Sequence, residues 1–120
     1  MLKSMQKIIK SFGWAINGLR MVWREETSFR TEFVIGVAVV LFGVYVHFLT
    51  LEWMIIIACI GAVLSAEILN TAIEDLCDKV EPNTDPVIGK IKDMMGGFVL
   101  VVCIASALIG LMIISNYYWL

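Results

Sequence analysis

Apolar residues fall into three long runs separated by short polar breaks, behind an N-terminal stretch with a different pattern. Phe33 to Leu49 contains no Asp, Glu, Lys or Arg. Trp53 to Ala66 contains none either, and the apolar character continues around Glu67 through Ile68 and Leu69. Met94 to Ile114 is the longest uncharged run. A helix needs about 20 mainly apolar residues to cross a hydrocarbon core about 30 Å thick. The third run meets that alone, the first if it begins near Phe29, and the second if it carries polar groups near one end. Backbone groups in lipid must pair within their own segment, so helices are expected over 29–49, 52–78 and 87–115. No strand-like alternation supports a membrane barrel.

The N-terminal segment, residues 1–25, is patterned as a surface helix. Ile8, Phe12, Ala15, Ile16, Leu19 and Trp23 recur at helical spacing, while Lys3, Lys7, Lys10, Asn17 and Arg24 lie mostly away from that stripe. Such a helix rests in the plane of the interface, and periodicity alone is equally well met by a plain membrane anchor. The segment has no short apolar core before a small-residue cleavage site, so the first apolar run is expected to stay in the mature protein. The breaks between spans are His47 to Glu52 and Val80 to Pro86, the second holding both prolines of the chain beside Asn83 and Asp85. With no internal repeat, the chain reads as one all-α membrane domain: three transmembrane helices plus an interfacial helix.

Composition agrees. The hydrophobic fraction is 60% and the charged fraction 17%, against about 45–50% and 25% for soluble domains. The net charge of −2 implies no nucleic-acid partner. Charge distribution is more informative. Lys3, Lys7, Lys10, Arg20, Arg24 and Arg30 precede the first span, and Lys79, Lys90 and Lys92 flank the second break, whereas the Thr50 hairpin and the tail after Ser115 have no lysine or arginine. The positive-inside rule then places the N-terminus and the Pro82 loop in the cytoplasm and the C-terminus outside, as expected of a multi-pass membrane protein. His47, Trp53 and the Tyr117-Tyr118-Trp119 tail would lie at the outer interface. Cys59, Cys77 and Cys103 are widely spaced and form no CxxC pair, so packed free thiols rather than a thiolate zinc site are expected.

Glu67, Asn70, Glu74 and Asp78 do not belong in a plain span. At about 100° per residue they fall within roughly 80° of one another, forming one polar stripe. If the second span enters near Trp53, Glu67 lies roughly 21 Å down, still in hydrocarbon, with Glu74 near the inner interface and Asp78 just beyond it. A carboxylate at that depth costs on the order of 2–3 kcal/mol, and desolvation makes it a better proton acceptor. A base within the membrane and oxygen ligands at its edge suit transfer of a soluble group to a lipid hydroxyl. The same stripe could instead be a structural seam between helices. Glu26, Arg30 and Glu32 before the first span, and Lys90, Lys92 and Asp93 before the third, are expected on the same side as Glu74. Acids beside lysines are what magnesium and nucleotide phosphates require, although each charge singly also reads as a solvated head group. No GxxxxGK[ST] or GxGxxG loop occurs, so a nucleotide site would be built from helix surfaces. Gly96-Gly97 reads as a close helix crossing.

The segment Glu67-Ile68-Leu69-Asn70-Thr71-Ala72-Ile73-Glu74, with Asp78 after it and Lys92-Asp93-Met94 further on, resembles the signature of the bacterial integral-membrane diacylglycerol kinases, a family that includes undecaprenol kinases. Ile8-Ile9-Lys10, Gly18-Leu19-Arg20, Trp23, Glu26, Phe29-Arg30 and Glu32 fall in register with it, so the resemblance runs from about Lys7 to Ile114. It implies a homotrimer with sites shared between neighbours, phosphorylating a membrane lipid alcohol (diacylglycerol to phosphatidic acid) with ATP and Mg2+. Undecaprenol is the alternative acceptor, and a non-enzymatic scaffold or channel is the alternative of another class. By resemblance, Glu67 is the general base and Glu26 and Glu74 hold one or two magnesium ions bridged to ATP. Lys7, Trp14, Asn83, Thr84, Asp85, Lys92 and Asp93 correspond to nucleotide contacts, and Arg20, Arg30, Glu32, Asn70 and Asp78 to substrate-binding or supporting positions. Lys7 stands where an arginine is frequent, Trp14 where a tyrosine is frequent, and Asp85 where relatives carry histidine or tyrosine.

Overall fold

The computed structural model describes residues 1–118, so Trp119 of the expected aromatic tail lies outside the described residues. Four helices follow one another: α1 (Leu2–Glu25), α2 (Thr27–Val46), α3 (Thr50–Val80) and α4 (Pro86–Tyr118). Among the described residues there is no strand. The last three helices are long and apolar enough to span a membrane.

α1 ends because Glu26 turns extended, at φ −114° and ψ 109°. The terminal carbonyls of a helix need donors and favour a nearby cation. Arg30 supplies both, donating from Nη1 to the carbonyls of Trp23 at 2.5 Å and Arg24 at 3.0 Å, and from Nη2 to Thr27 Oγ1 at 3.1 Å. Trp23 meets Phe29 and Phe33 edge-on, with ring centroids 6.4 and 5.3 Å apart. This elbow holds Glu26 between α1 and α2. Most of α1 is exposed, including Ile8, Phe12, Ile16 and Leu19, as suits a helix whose apolar face meets lipid head groups.

The α2–α3 hairpin is tight. His47 takes the left-handed conformation at φ 61°, and the Phe48 N–H donates to the carbonyl of Gly43. Gly43 is required there: a Cβ would collide with the Phe48 ring and come within 2.8 Å of Trp53. Glu52 accepts from the Leu49 N–H at 2.9 Å and from the Tyr117 hydroxyl, tying the far end of α4 to the start of α3. Phe48, Ile56 and Ile113 form the core of that end.

α3 and α4 make the most extensive packing in the molecule. At 31 residues, α3 is about 46 Å long, well beyond a core of about 30 Å. Its second half can therefore carry polar residues to the membrane edge. Asp85 starts α4, accepting from the N–H groups of Val87 and Ile88 at 3.0 Å each, with Pro86 in the first helical position. The molecule is flat, 55 × 48 × 22 Å.

Candidate active site

Glu67 sits in the second half of α3 and is 6% exposed. Its neighbour Thr71 donates back to the Glu67 carbonyl at 2.9 Å. Among the described residues, no hydrogen bond or ion pair reaches the Glu67 carboxylate itself. A buried carboxylate without partners is costly, and this one also feels the charges of Glu32, Glu26 and Glu74. Two helices and the elbow thus bring acids close to one another: Glu32 from α2, Glu26 from the elbow, and Glu67 and Glu74 from α3.

The stripe continues down α3. Asn70 Nδ2 donates to Glu74 Oε1 at 3.3 Å, which leaves Asn70 Oδ1 buried without a donor. Glu74 is half-buried and Asp78 exposed. Asp78 pairs with Lys92 of α4, Oδ1 to Nζ, at 2.5 Å. Beyond that pair lies a hollow of about 240 Å³ walled by Asp78, Lys92, Gly89 and the loop residues Asn83, Thr84 and Asp85. The Asp85 carboxylate is engaged at the start of α4, while Glu81 accepts from the Asn83 N–H at 3.1 Å and shapes the loop.

Other expected residues stand apart within this chain. Lys7, Trp14 and Arg20 are exposed on α1, and Asp93 is exposed and lines neither hollow. Arg30 holds the elbow.

Cys103 is the residue that sequence reasoning did not bring to the site. Its thiol faces Glu32 Oε1 at 3.9 Å, and ligand atoms of Glu32, Glu67 and Cys103 all lie within 4.8 Å of one another. A signal existed: Lys92 and Cys103 are eleven residues apart on α4, as are Glu67 and Asp78 on α3. Eleven residues make about three full turns, so the Asp78–Lys92 pair fixes a register that brings Cys103 to Glu67.

On the membrane side, a groove of about 380 Å³ runs between α2, α3 and α4. Its walls are apolar, among them Ile35, Gly36, Ile60, Val63 and Ala107, and it ends at Glu32 and Cys103. Gly36 lets α2 approach α3 closely; a Cβ there would meet Ile60 Cγ2 at 3.3 Å. An apolar groove thus reaches the acids from the membrane side, and a polar hollow lies beyond them along the stripe.

The chain is similar in sequence to known proteins. A family model described as prokaryotic diacylglycerol kinase matches residues 13–114. The chain is 36% identical to an undecaprenol kinase of Bacillus subtilis, covering 91% of this chain and 89% of the relative. It is 34% identical to a diacylglycerol kinase of Escherichia coli, with 85% and 84% covered. A diacylglycerol kinase of Helicobacter pylori is 28% identical, with 77% and 72% covered.

Proposed function

The chain belongs to the prokaryotic diacylglycerol kinase family, and on that premise we propose that this multi-pass membrane lipid kinase moves the γ-phosphoryl group of Mg-ATP onto a lipid alcohol at the cytoplasmic leaflet. The observation that carries the reading is the buried, unpartnered Glu67 carboxylate, set between the apolar groove and the half-buried Glu74. The lipid's hydrocarbon occupies the groove and its hydroxyl reaches Glu67. Glu67 accepts the hydroxyl proton while the oxygen attacks the γ-phosphorus and ADP leaves. A buried base without competing donors is free to take that proton.

Glu26 and Glu74 hold the magnesium. The donor set fits: carboxylate oxygens suit a hard cation, and the orphaned Asn70 Oδ1 beside Glu74 is an acceptor that a cation or its water would satisfy. Bound there, magnesium supplies charge neutralisation for the transferring phosphoryl group. Lys92, held by Asp78, and the loop residues Asn83, Thr84 and Asp85 face the nucleotide in the polar hollow; Asp93 is assigned to the nucleotide by its family position and lies outside that hollow. Lys7, Trp14 and Arg20 lie exposed on α1, which fits a site completed between subunits of a homotrimer. Arg30 and Glu32 support the elbow and the acid cluster. The distribution of lysine and arginine supports an N-terminus and an 81–85 loop on the cytoplasmic side. Its relatives are kinases, so the scaffold and channel readings are not retained.

Diacylglycerol is the first reading for the acceptor. Undecaprenol is the second, favoured by the Bacillus subtilis relative. Both are apolar molecules with one primary hydroxyl, which the groove and Glu67 accommodate alike. Labelled ATP offered with each lipid in mixed micelles decides between them. Label recovered in the lipid extract supports the proposal and identifies the acceptor; label in neither lipid refutes it.

A further inference from the structure

We propose that Glu32, Glu67 and Cys103 form a site for a thiophilic divalent cation of the zinc–cadmium class, distinct from the oxygen donors of Glu26, Glu74 and Asn70, and that filling it inhibits the kinase. Three helices contribute one ligand each, and the three ligand atoms already lie within 4.8 Å of one another. Tetrahedral zinc bonds sulfur at about 2.3 Å and carboxylate oxygen at about 2.0–2.2 Å, so its ligand atoms stand roughly 3.5 Å apart. Closing from the present spread moves ligand atoms by roughly an ångström, a distance within the reach of side-chain rotation. The second observation is Glu67 itself: its side chain is 6% exposed, nothing in the described chain satisfies its carboxylate, and that carboxylate points into the cluster. Glu32 and Cys103 border the groove between α2, α3 and α4, which gives a path to the site.

The chemistry selects the ion. A thiolate prefers zinc or cadmium to magnesium or calcium, whereas the Glu26–Glu74 set offers only oxygen and prefers the hard ions. On binding, the Cys103 S–H bond breaks, a sulfur–metal bond forms, and the proton leaves to water; nothing is oxidised or reduced. Two carboxylates now held close together gain a counter-charge. Three protein ligands leave a fourth position for water. Cysteine spacing could not reveal this site, because its other two ligands come from different helices. Binding rests on geometry alone; inhibition rests on the reading of Glu67 as the base, since a carboxylate bonded to metal no longer accepts the hydroxyl proton.

Cadmium is the probe, because its bond to a thiolate gives an ultraviolet charge-transfer band. The full chain in detergent micelles, with magnesium in excess, is titrated with cadmium chloride. The expected result is a saturable band of one ion per chain that persists in Cys59→Ala and Cys77→Ala and vanishes in Cys103→Ala. Loss of an outer-shell partner alone weakens metal sites by about 10–100-fold, so Glu32→Gln, which loses a direct ligand, should need at least about tenfold more cadmium to fill. Half-inhibition of lipid phosphorylation, normalised to each variant's own uninhibited turnover, should shift at least about tenfold in Cys103→Ala. Helical circular dichroism checks that each variant is folded. A band that survives in Cys103→Ala, or no band in the folded wild type, overturns the site. A band that follows Cys103 with undiminished turnover overturns the inhibition. A band that follows Cys103 in a protein that phosphorylates no lipid upholds the site and overturns the kinase reading instead.

Discussion

At Glu67 burial and partnership are out of balance, and that imbalance sets what single substitutions do. Elsewhere on the stripe, Asn70 Nδ2 donates to Glu74 and Asp78 pairs with Lys92, which leaves Asn70 Oδ1 as the one other unmet buried group among the described residues. Asp78 is exposed and Lys92 partly so, and exposed pairs contribute about 0–1 kcal/mol. Asp78→Asn should therefore lower thermal stability only slightly while raising the KM for ATP, because Lys92 loses the partner that aims it at the hollow. Steady-state kinetics beside a melting curve separates the two effects. Glu74→Gln should raise the magnesium concentration for half-maximal activity at least about tenfold, since loss of an outer-shell partner alone weakens metal sites by about 10–100-fold, and leave the melting temperature close to wild type. The stripe was readable from sequence because its four residues share one helix and periodicity alone aligns them. Glu32 and Cys103 were not placed against Glu67 that way: their proximity depends on how three helices pack, and the eleven-residue spacing points Cys103 to Glu67 only once Asp78 is paired with Lys92.

A helix break positions Glu26, whereas Glu32, Glu67 and Glu74 stand within helices. Arg30 terminates α1 by taking its last carbonyls, and Glu26 sits in the extended residue that results. Arg30→Gln should loosen that elbow, and Glu26 with it, so both the magnesium requirement and protease sensitivity near residue 26 should rise. At the other end, Gly43→Ala forces a methyl group into the Phe48 and Trp53 rings. Overpacking of this kind costs about 1–3 kcal/mol, and thermal or denaturant unfolding in detergent should register it without a change in KM. The spans were legible because runs of uncharged apolar residues have few alternatives to a membrane helix. The aromatic lock of Phe48, Trp53 and Tyr117 was legible only as an aromatic belt, since composition places rings at an interface but does not say which rings touch. Arg30 looked like a substrate or supporting residue by its family position; its hydrogen bonds to α1 follow from the helix end at Glu25, which periodicity does not locate to the residue.

As a whole, the flat molecule exposes apolar faces of α2 and α4, as suits helices that cross a membrane. Orientation is the property of the whole chain on which the account leans. A cysteine placed at Thr84, in a background with the native cysteines replaced by alanine, should react with a membrane-impermeant maleimide in inverted vesicles and be protected in sealed cells; the opposite pattern would put the polar hollow where ATP is absent. The overall architecture needs no tertiary information beyond three spans and two turns. The meeting of groove, base and polar hollow does need it, because each draws on more than one helix. The most direct measurement is label transfer from ATP to lipid by Glu67→Gln beside the wild type, with melting temperature recorded for both. The account predicts turnover lower by about 10²–10⁴-fold, the contribution of a general base, with stability equal to or above wild type, because a buried unpaired charge is removed. A folded Glu67→Gln protein that phosphorylates lipid at the wild-type rate would contradict it.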